Sequence, residues 1–147
     1  MWFWQRTETD QRVRDEDKEE LNALGEQFGL TFSSLDGPKT QELLRLIKSS
    51  QSLDLPTEQR TKISTAARFN CSDIELEYFE CKHNNKYFMN IHPKKCFDLQ
   101  KQLDDCRALQ SKVLQMIGYG KSTDDRALQE LADDLALKGH VRSAGPK

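Results

Sequence analysis

Two stretches of the chain place apolar residues in the same rhythm. Cys71, Ile74, Tyr78 and Cys81 follow one another at steps of three, four and three. Cys96, Leu99, Leu103 and Cys106 repeat those steps, and Leu109, Val113 and Met116 carry them on. Residues three and four apart share one face of an α-helix, so each stretch predicts a helix with a single apolar stripe. A sulfur stands at both ends of each stripe. Pro56 opens a helix in which Ile63 and Ala67 lead at four-residue steps onto Cys71. That helix either runs unbroken into the first cysteine stretch or re-caps at Asn70 or Ser72. Pro93 opens the second long helix, and Gly118-Tyr119-Gly120 stops it. The intervening KHNNKYFMNIHPKK is polar, with Asn-Asn and a proline, and predicts a turn-back.

Thinner stripes lie outside this pair. Leu21, Leu24 and Phe28 make a short amphipathic helix from about Asp15, weakened by Gly25 and ended by Gly29. Asp36-Gly37-Pro38 is a turn. Leu43, Leu44, Leu46 and Ile47 follow on a second short helix to about Ser49, and SSQSLDL reads as a linker. Thr123 is the expected N-cap of a last helix, with Asp124 and Asp125 in its first turn. Ala127, Leu128, Leu131 and Leu135 form its stripe, Gly139 closes it, and the tail HVRSAGPK is expected to be loose. No strand-like alternation is visible. The expectation is an all-α chain built on an antiparallel α-hairpin.

Composition sharpens this picture. The 147 residues are only 36% apolar and 31% charged, with a mean hydropathy of −0.79. No stretch approaches the roughly 20 apolar residues of a spanning helix. Twenty-two basic against 24 acidic residues leave a net charge of −2, which argues against nucleic acid as a partner. The charge is uneven: residues 1–55 hold 7 basic and 11 acidic side chains, residues 56–147 hold 15 and 13. This split suggests an acidic arm (1–55), a hairpin module (56–120) and a C-terminal helix and tail (121–147). So polar a chain promises a small core. The one-sided stripes Leu21, Leu24, Phe28 and Leu128, Leu131, Leu135 are therefore expected to finish their burial on another protein. The aromatic tip Trp2, Phe3 and Trp4 is a further candidate for partner or membrane-surface contact.

All four cysteines fall between positions 71 and 106, in two pairs that each enclose nine residues. Ten helical positions span about 15 Å, whereas bridged Cα atoms lie within about 7 Å. Helical segments thus exclude a bridge inside either pair. If the helices fold antiparallel, Cys71 meets Cys106 and Cys81 meets Cys96. A parallel pairing would require the connection to retrace a whole helix, so the antiparallel arrangement is expected. A zinc site from Cys81, His83, His92 and Cys96 is chemically reasonable but leaves the other two cysteines unexplained. Asn70-Cys71-Ser72 matches a glycosylation sequon and reads as accidental beside a bridged cysteine.

The twin CX9C pattern resembles the coiled-coil-helix-coiled-coil-helix (CHCH) family over about Ile63 to Ile117. That resemblance implies a disulfide-locked hairpin in the mitochondrial intermembrane space, peripheral to the inner membrane and oxidised there by the import relay. The opening MWFWQRTETDQRVRDED has neither a signal peptide's apolar run nor a transit peptide's scarcity of acids, in keeping with that route. Ile74 and Tyr78 ahead of Cys81, and Leu99 and Leu103 ahead of Cys106, match the face by which the relay captures family members; packing in the hairpin seam is the simpler account of them, and both can hold. The relay oxidoreductase of the family carries a Cys-Pro-Cys pair and its copper chaperones carry adjacent cysteines before the first helix. This chain has neither. It also lacks a phosphate loop and a nucleophile elbow, so no catalytic residue, cofactor or metal is expected.

Within the family the chain is most like accessory subunits of respiratory complex I. Lys62-Ile63-Ser64-Thr65-Ala66-Ala67 before the first pair and Pro93-Lys94-Lys95-Cys96 before the second resemble that group, which however has two CHCH units where this chain has one. The implied role is a non-catalytic accessory subunit of an inner-membrane respiratory complex. A cytochrome oxidase subunit, a cytochrome oxidase assembly factor and a mitoribosomal subunit are the alternatives within the family.

Overall fold

The computed structural model describes residues 2–33, 35–50, 56–88, 93–121 and 125–144, with only the backbone described for 2–14, 85–88 and 93–94. Six helices are present among them: α1 (Trp2–Gln27), α2 (Gly37–Ser49), α3 (Thr57–Asn70), α4 (Ser72–Phe88), α5 (Pro93–Met116) and α6 (Asp125–Leu137). Two three-residue strands, β1 (Leu30–Phe32) and β2 (Val141–Ser143), pair antiparallel. The all-α expectation holds, with this one small addition.

Local signals account for most boundaries. Asp36 caps α2, its side chain accepting from the Lys39 amide at 2.9 Å, and Pro38 sits in the first turn where its missing N–H costs nothing. Gly118 ends α5 with φ +82°, a conformation few side chains tolerate. A side chain there would also meet Ser50 Cβ at 2.7 Å. Ser50 needs that space because its hydroxyl lies 2.7 Å from the Met116 carbonyl, joining the ends of α2 and α5. The helix that Pro56 opens does not run through: α3 ends at Asn70, and Cys71 is the joint before α4.

The 24-residue helix α5 is the spine, about 36 Å long at 1.5 Å per residue. Its first half packs on α4. Its second half supplies Val113, Leu114 and Met116 to the main core. There they meet Leu21 of α1, Leu30 of β1, Leu43, Leu44 and Ile47 of α2, Ile63, Ala66 and Ala67 of α3, Leu128, Ala132 and Leu135 of α6, and Val141 of β2. The sequence-based division at about residue 55 falls in residues 51–55, outside the described residues. On both sides of it the chain feeds one core.

That core corrects several expectations. Leu21, Leu128 and Leu135 are buried, and Leu24, Phe28 and Leu131 pack partly buried against the same cluster. The stripes expected to await a partner are covered by one another inside the chain. The helix placed from Asp15 begins at Trp2, and the polar turn-back is helical as far as Phe88. Gly25 lies buried in the last turn of α1, and Gly29 follows the helix end with φ +70°, as expected. A Cβ on Gly25 would stand 2.6 Å from Phe32 Cε2 and 3.0 Å from the Leu30 carbonyl, so the missing side chain lets β1 cross close over α1.

Nor is the tail loose through residue 144. Leu30 pairs with Ser143, Thr31 with Arg142 and Phe32 with Val141. The Ser33 amide donates to the His140 carbonyl and the Ala144 amide to the Gly29 carbonyl, each at 2.8 Å. Thr123 and Asp124, expected to cap and open α6, lie outside the described residues, whereas Asp125 accepts from the Gly120 amide at 3.0 Å. Gly25→Val should press β1 off α1 and cost about 2 kcal/mol, the usual scale of overpacking. Urea unfolding followed by circular dichroism measures it; an unchanged midpoint would contradict the close crossing.

Candidate functional site

The cysteine-bearing half of the hairpin is where sequence placed the chemistry, and its geometry begins with the two sulfur bridges. Cys71 is bonded to Cys106 and Cys81 to Cys96, with Cα separations of 6.1 and 5.6 Å. The antiparallel pairing is thus the one adopted, and no cysteine is free. With Cys81 and Cys96 joined to each other, their sulfurs are not available to the zinc site considered above, and His92 lies outside the described residues.

Between the bridges runs a narrow seam. Tyr78 and Leu103 are buried, with Ile74 and Leu99 partly buried against them and against Cys71 and Cys106. The four residues matched to the relay motif therefore fill the seam of the folded hairpin. Lys82 Nζ lies 4.9 Å from the Tyr78 ring centroid, a cation over an aromatic face.

An ionic clamp adjoins the outer bridge. Glu75, one turn beyond Cys71, accepts from Arg68 Nη2 at 3.0 Å and Nε at 3.3 Å, and meets Arg107 Nη2 at 3.3 Å. It draws α3, α4 and α5 together at the point where α3 bends into α4. The Arg68 guanidinium, helped by Arg107, holds the Glu75 carboxyl below the ordinary carboxylate range. On the opposite side Asn70 Nδ2 donates to Gln110 Oε1 at 2.9 Å and to the Gln129 carbonyl at 3.1 Å. With its amide spent on α5 and α6, the sequon asparagine is a tie between helices.

The outer surface shows what periodicity passed over. Phe69, Leu76, Phe79 and Phe97 are 69%, 60%, 52% and 67% exposed. On α4, Leu76 and Phe79 fall outside the stripe that bears the cysteines, and on α5 Phe97 does the same. The signal was present as apolar residues out of register with the stripe. The side chains of Trp2, Phe3 and Trp4 lie outside the described residues. Among the described residues no cluster of metal-ligating side chains is found, and no helix is long and apolar enough to cross a membrane.

Comparison with protein-family models, with curated proteins and with solved structures finds no match for this chain. What can be stated is a small helical fold, compatible with a twin CX9C protein, in which two disulfides tie α5 to α4 and to the α3–α4 joint.

Two outcomes follow from the clamp. Replacing Cys71 and Cys106 by serine should destabilise the chain more than replacing Cys81 and Cys96. The chain-entropy model puts each loss at roughly 2–5 kcal/mol and the difference, from closed loops of 35 and 15 residues, at about 0.7 kcal/mol. Denaturant midpoints of the two double variants read this directly, and the reverse order would count against it. Because Glu75 titrates lower when folded, the unfolded chain binds more protons in the window between the two pKa values. Its stabilisation is therefore in place at neutral pH and is lost as pH falls through the folded value. Glu75→Gln should lower Tm at pH 7, and the deficit should close in acid; a pH-independent deficit would mean the clamp acts through packing alone.

Proposed function

We propose that the chain is a non-catalytic structural accessory subunit of a mitochondrial inner-membrane respiratory complex, complex I, on its intermembrane-space face. The observation that carries this reading is the locked hairpin: two bridges across antiparallel helices at CX9C spacing, with all four cysteines used. Disulfides of this kind persist in oxidising compartments and are rare where thiols are kept reduced. The likeness of Lys62–Ala67 and of Pro93–Cys96 to complex I accessory subunits directs the choice of complex.

The exposed apolar side chains support a docking role. Four large apolar side chains left in water on a chain this polar are the composition of a contact surface, in which aromatic residues are enriched. The hairpin supplies rigidity. A seam held at both ends by covalent bonds keeps Phe69, Leu76 and Phe79 in fixed relation, which lowers the ordering cost of association.

Native-gel separation of detergent-solubilised mitochondria, read by mass spectrometry, tests this reading. The chain should co-migrate with complex I in stoichiometric amount, and Phe79→Asp should release it while the oxidised protein still accumulates. Recovery in small, substoichiometric species alone would sink the subunit reading and favour an assembly factor.

A further inference from the structure

The two bridges close parts of the hairpin that differ in everything except the bond. Of the side chains described beyond Tyr78 on α4 and ahead of Leu99 on α5, only those of Cys81 and Cys96 are buried, at 6% and 8% exposure. No described residue from 68 to 108 belongs to the main core. The seam cluster reaches no further toward the tip than Tyr78 and Leu99. Lys82 lies over Tyr78, but both belong to α4, so that contact does not join the helices. The tip is closed by its disulfide, with almost no apolar burial of its own.

The outer bridge is embedded. Ile63, Ala66 and Ala67 are buried in the main core just before Cys71, and Val113 and Leu114 are buried there about two turns beyond Cys106. Glu75 spans Arg68 and Arg107, and Asn70 reaches Gln110 and the Gln129 carbonyl. None of these contacts needs the sulfurs to be bonded, and together they keep Cys71 opposite Cys106. Access does not separate the two bridges. Cys81 lines a recess of about 330 Å³, and Cys106 lines the open groove between α5 and α6. What separates them is what holds each pair of thiols once the bond is cut.

We infer that the hairpin tip is a redox-gated unit: a dithiol opens Cys81–Cys96 and melts the tip, while Cys71–Cys106 and the body of the molecule stay closed. A thiolate of the reductant attacks one sulfur, the S–S bond breaks, and the other cysteine leaves as a thiolate and takes a proton. The second thiolate of the reductant then attacks the mixed disulfide, which frees the first cysteine and leaves the reductant as its own cyclic disulfide. Two electrons and two protons pass to the protein. At the outer pair the same cleavage is reversed, because packing on both sides holds the thiols at high effective concentration. At the tip it is not. Residues 79–88 and 93–98 become two short helical ends without a buried face, and isolated helices below roughly 12–15 residues are marginal in water. Opening is therefore local, of the kind that sparsely packed segments show. Phe79 and Phe97 ride on the tip and Phe69 on the body, so the opening separates exposed apolar side chains that the closed bridge holds in fixed relation.

The full-length oxidised protein is equilibrated at graded ratios of reduced to oxidised dithiothreitol, quenched, alkylated and mapped by mass spectrometry. The species alkylated at Cys81 and Cys96, with Cys71 still joined to Cys106, should dominate over at least about a tenfold range of that ratio. Hydrogen exchange of this species should show protection lost at residues 79–88 and 93–98 and kept at Ile63, Val113 and Leu135. Returning it to oxidised dithiothreitol should restore the tip. The double variant Cys81→Ser, Cys96→Ser should give the same exchange pattern with no reductant present. Reduction of both pairs together, earlier loss of the Cys71–Cys106 bond, a tip still protected after its bridge is cut, or a globally unfolded double variant would each overturn the proposal.

Discussion

The bond between Cys71 and Cys106 sits at the one place where three lengths of helix must agree. Cys71 is the joint at which α3 gives way to α4, and Cys106 lies near the middle of α5. Joining them sets where the spine crosses the bend, and everything to either side follows. Toward the hairpin tip a seam one residue wide depends on the second bridge for closure, since Tyr78 and Leu103 alone bury too little to hold two helices together in water. Toward the chain ends the same crossing presents Val113, Leu114 and Met116 to helices from both termini. The molecule therefore has two regimes on one helix: covalent closure where apolar surface is scarce, hydrophobic burial where it is plentiful. Glu75 reinforces the joint electrostatically from beside the sulfur.

How much of this could be read from the sequence depended on whether a feature repeats. The cysteine helices, their pairing and the stops at Gly118 and Gly139 were legible because a 3-4-3 rhythm, a sulfur at each end and a glycine with positive φ leave few alternatives. The stripes of α1, α2 and α6 were legible as stripes. Their destination was not, because periodicity says that a face is apolar and is silent on what covers it; Leu21 and Leu135 were given to a partner and belong to each other's core. The strands were invisible because three residues, LTF or VRS, are too few to alternate. Gly25 could be read as a weak point near a helix end, but its second role lies in Phe32 and Leu30, which approach it from another element.

For the candidate sites the division is similar. The seam residues could be named in advance, since they share the cysteine stripe. The exposed phenylalanines could not, since an apolar residue out of register with that stripe does not say whether anything covers it. Charge patterning was equally opaque: Asp133 and Asp134 are adjacent and chemically identical, yet Asp134 is held by two lysines while Asp133 is partly buried and near Asp73.

The pairing of Leu30–Phe32 with Val141–Ser143 carries a consequence for the order in which the molecule can be made. A ribosome delivers α1 and β1 first and their partner strand more than a hundred residues later. Until then the part of the core that α5, α6 and β2 add to α1, β1 and α2 has not been synthesised. The entropy of closing so long a loop falls to its final step, after the hairpin between the strands is in place. The nascent chain must consequently be tolerated, or shielded, with β1 still unpaired. Two three-residue strands thus act as a latch that can close only after the helices between them have been made.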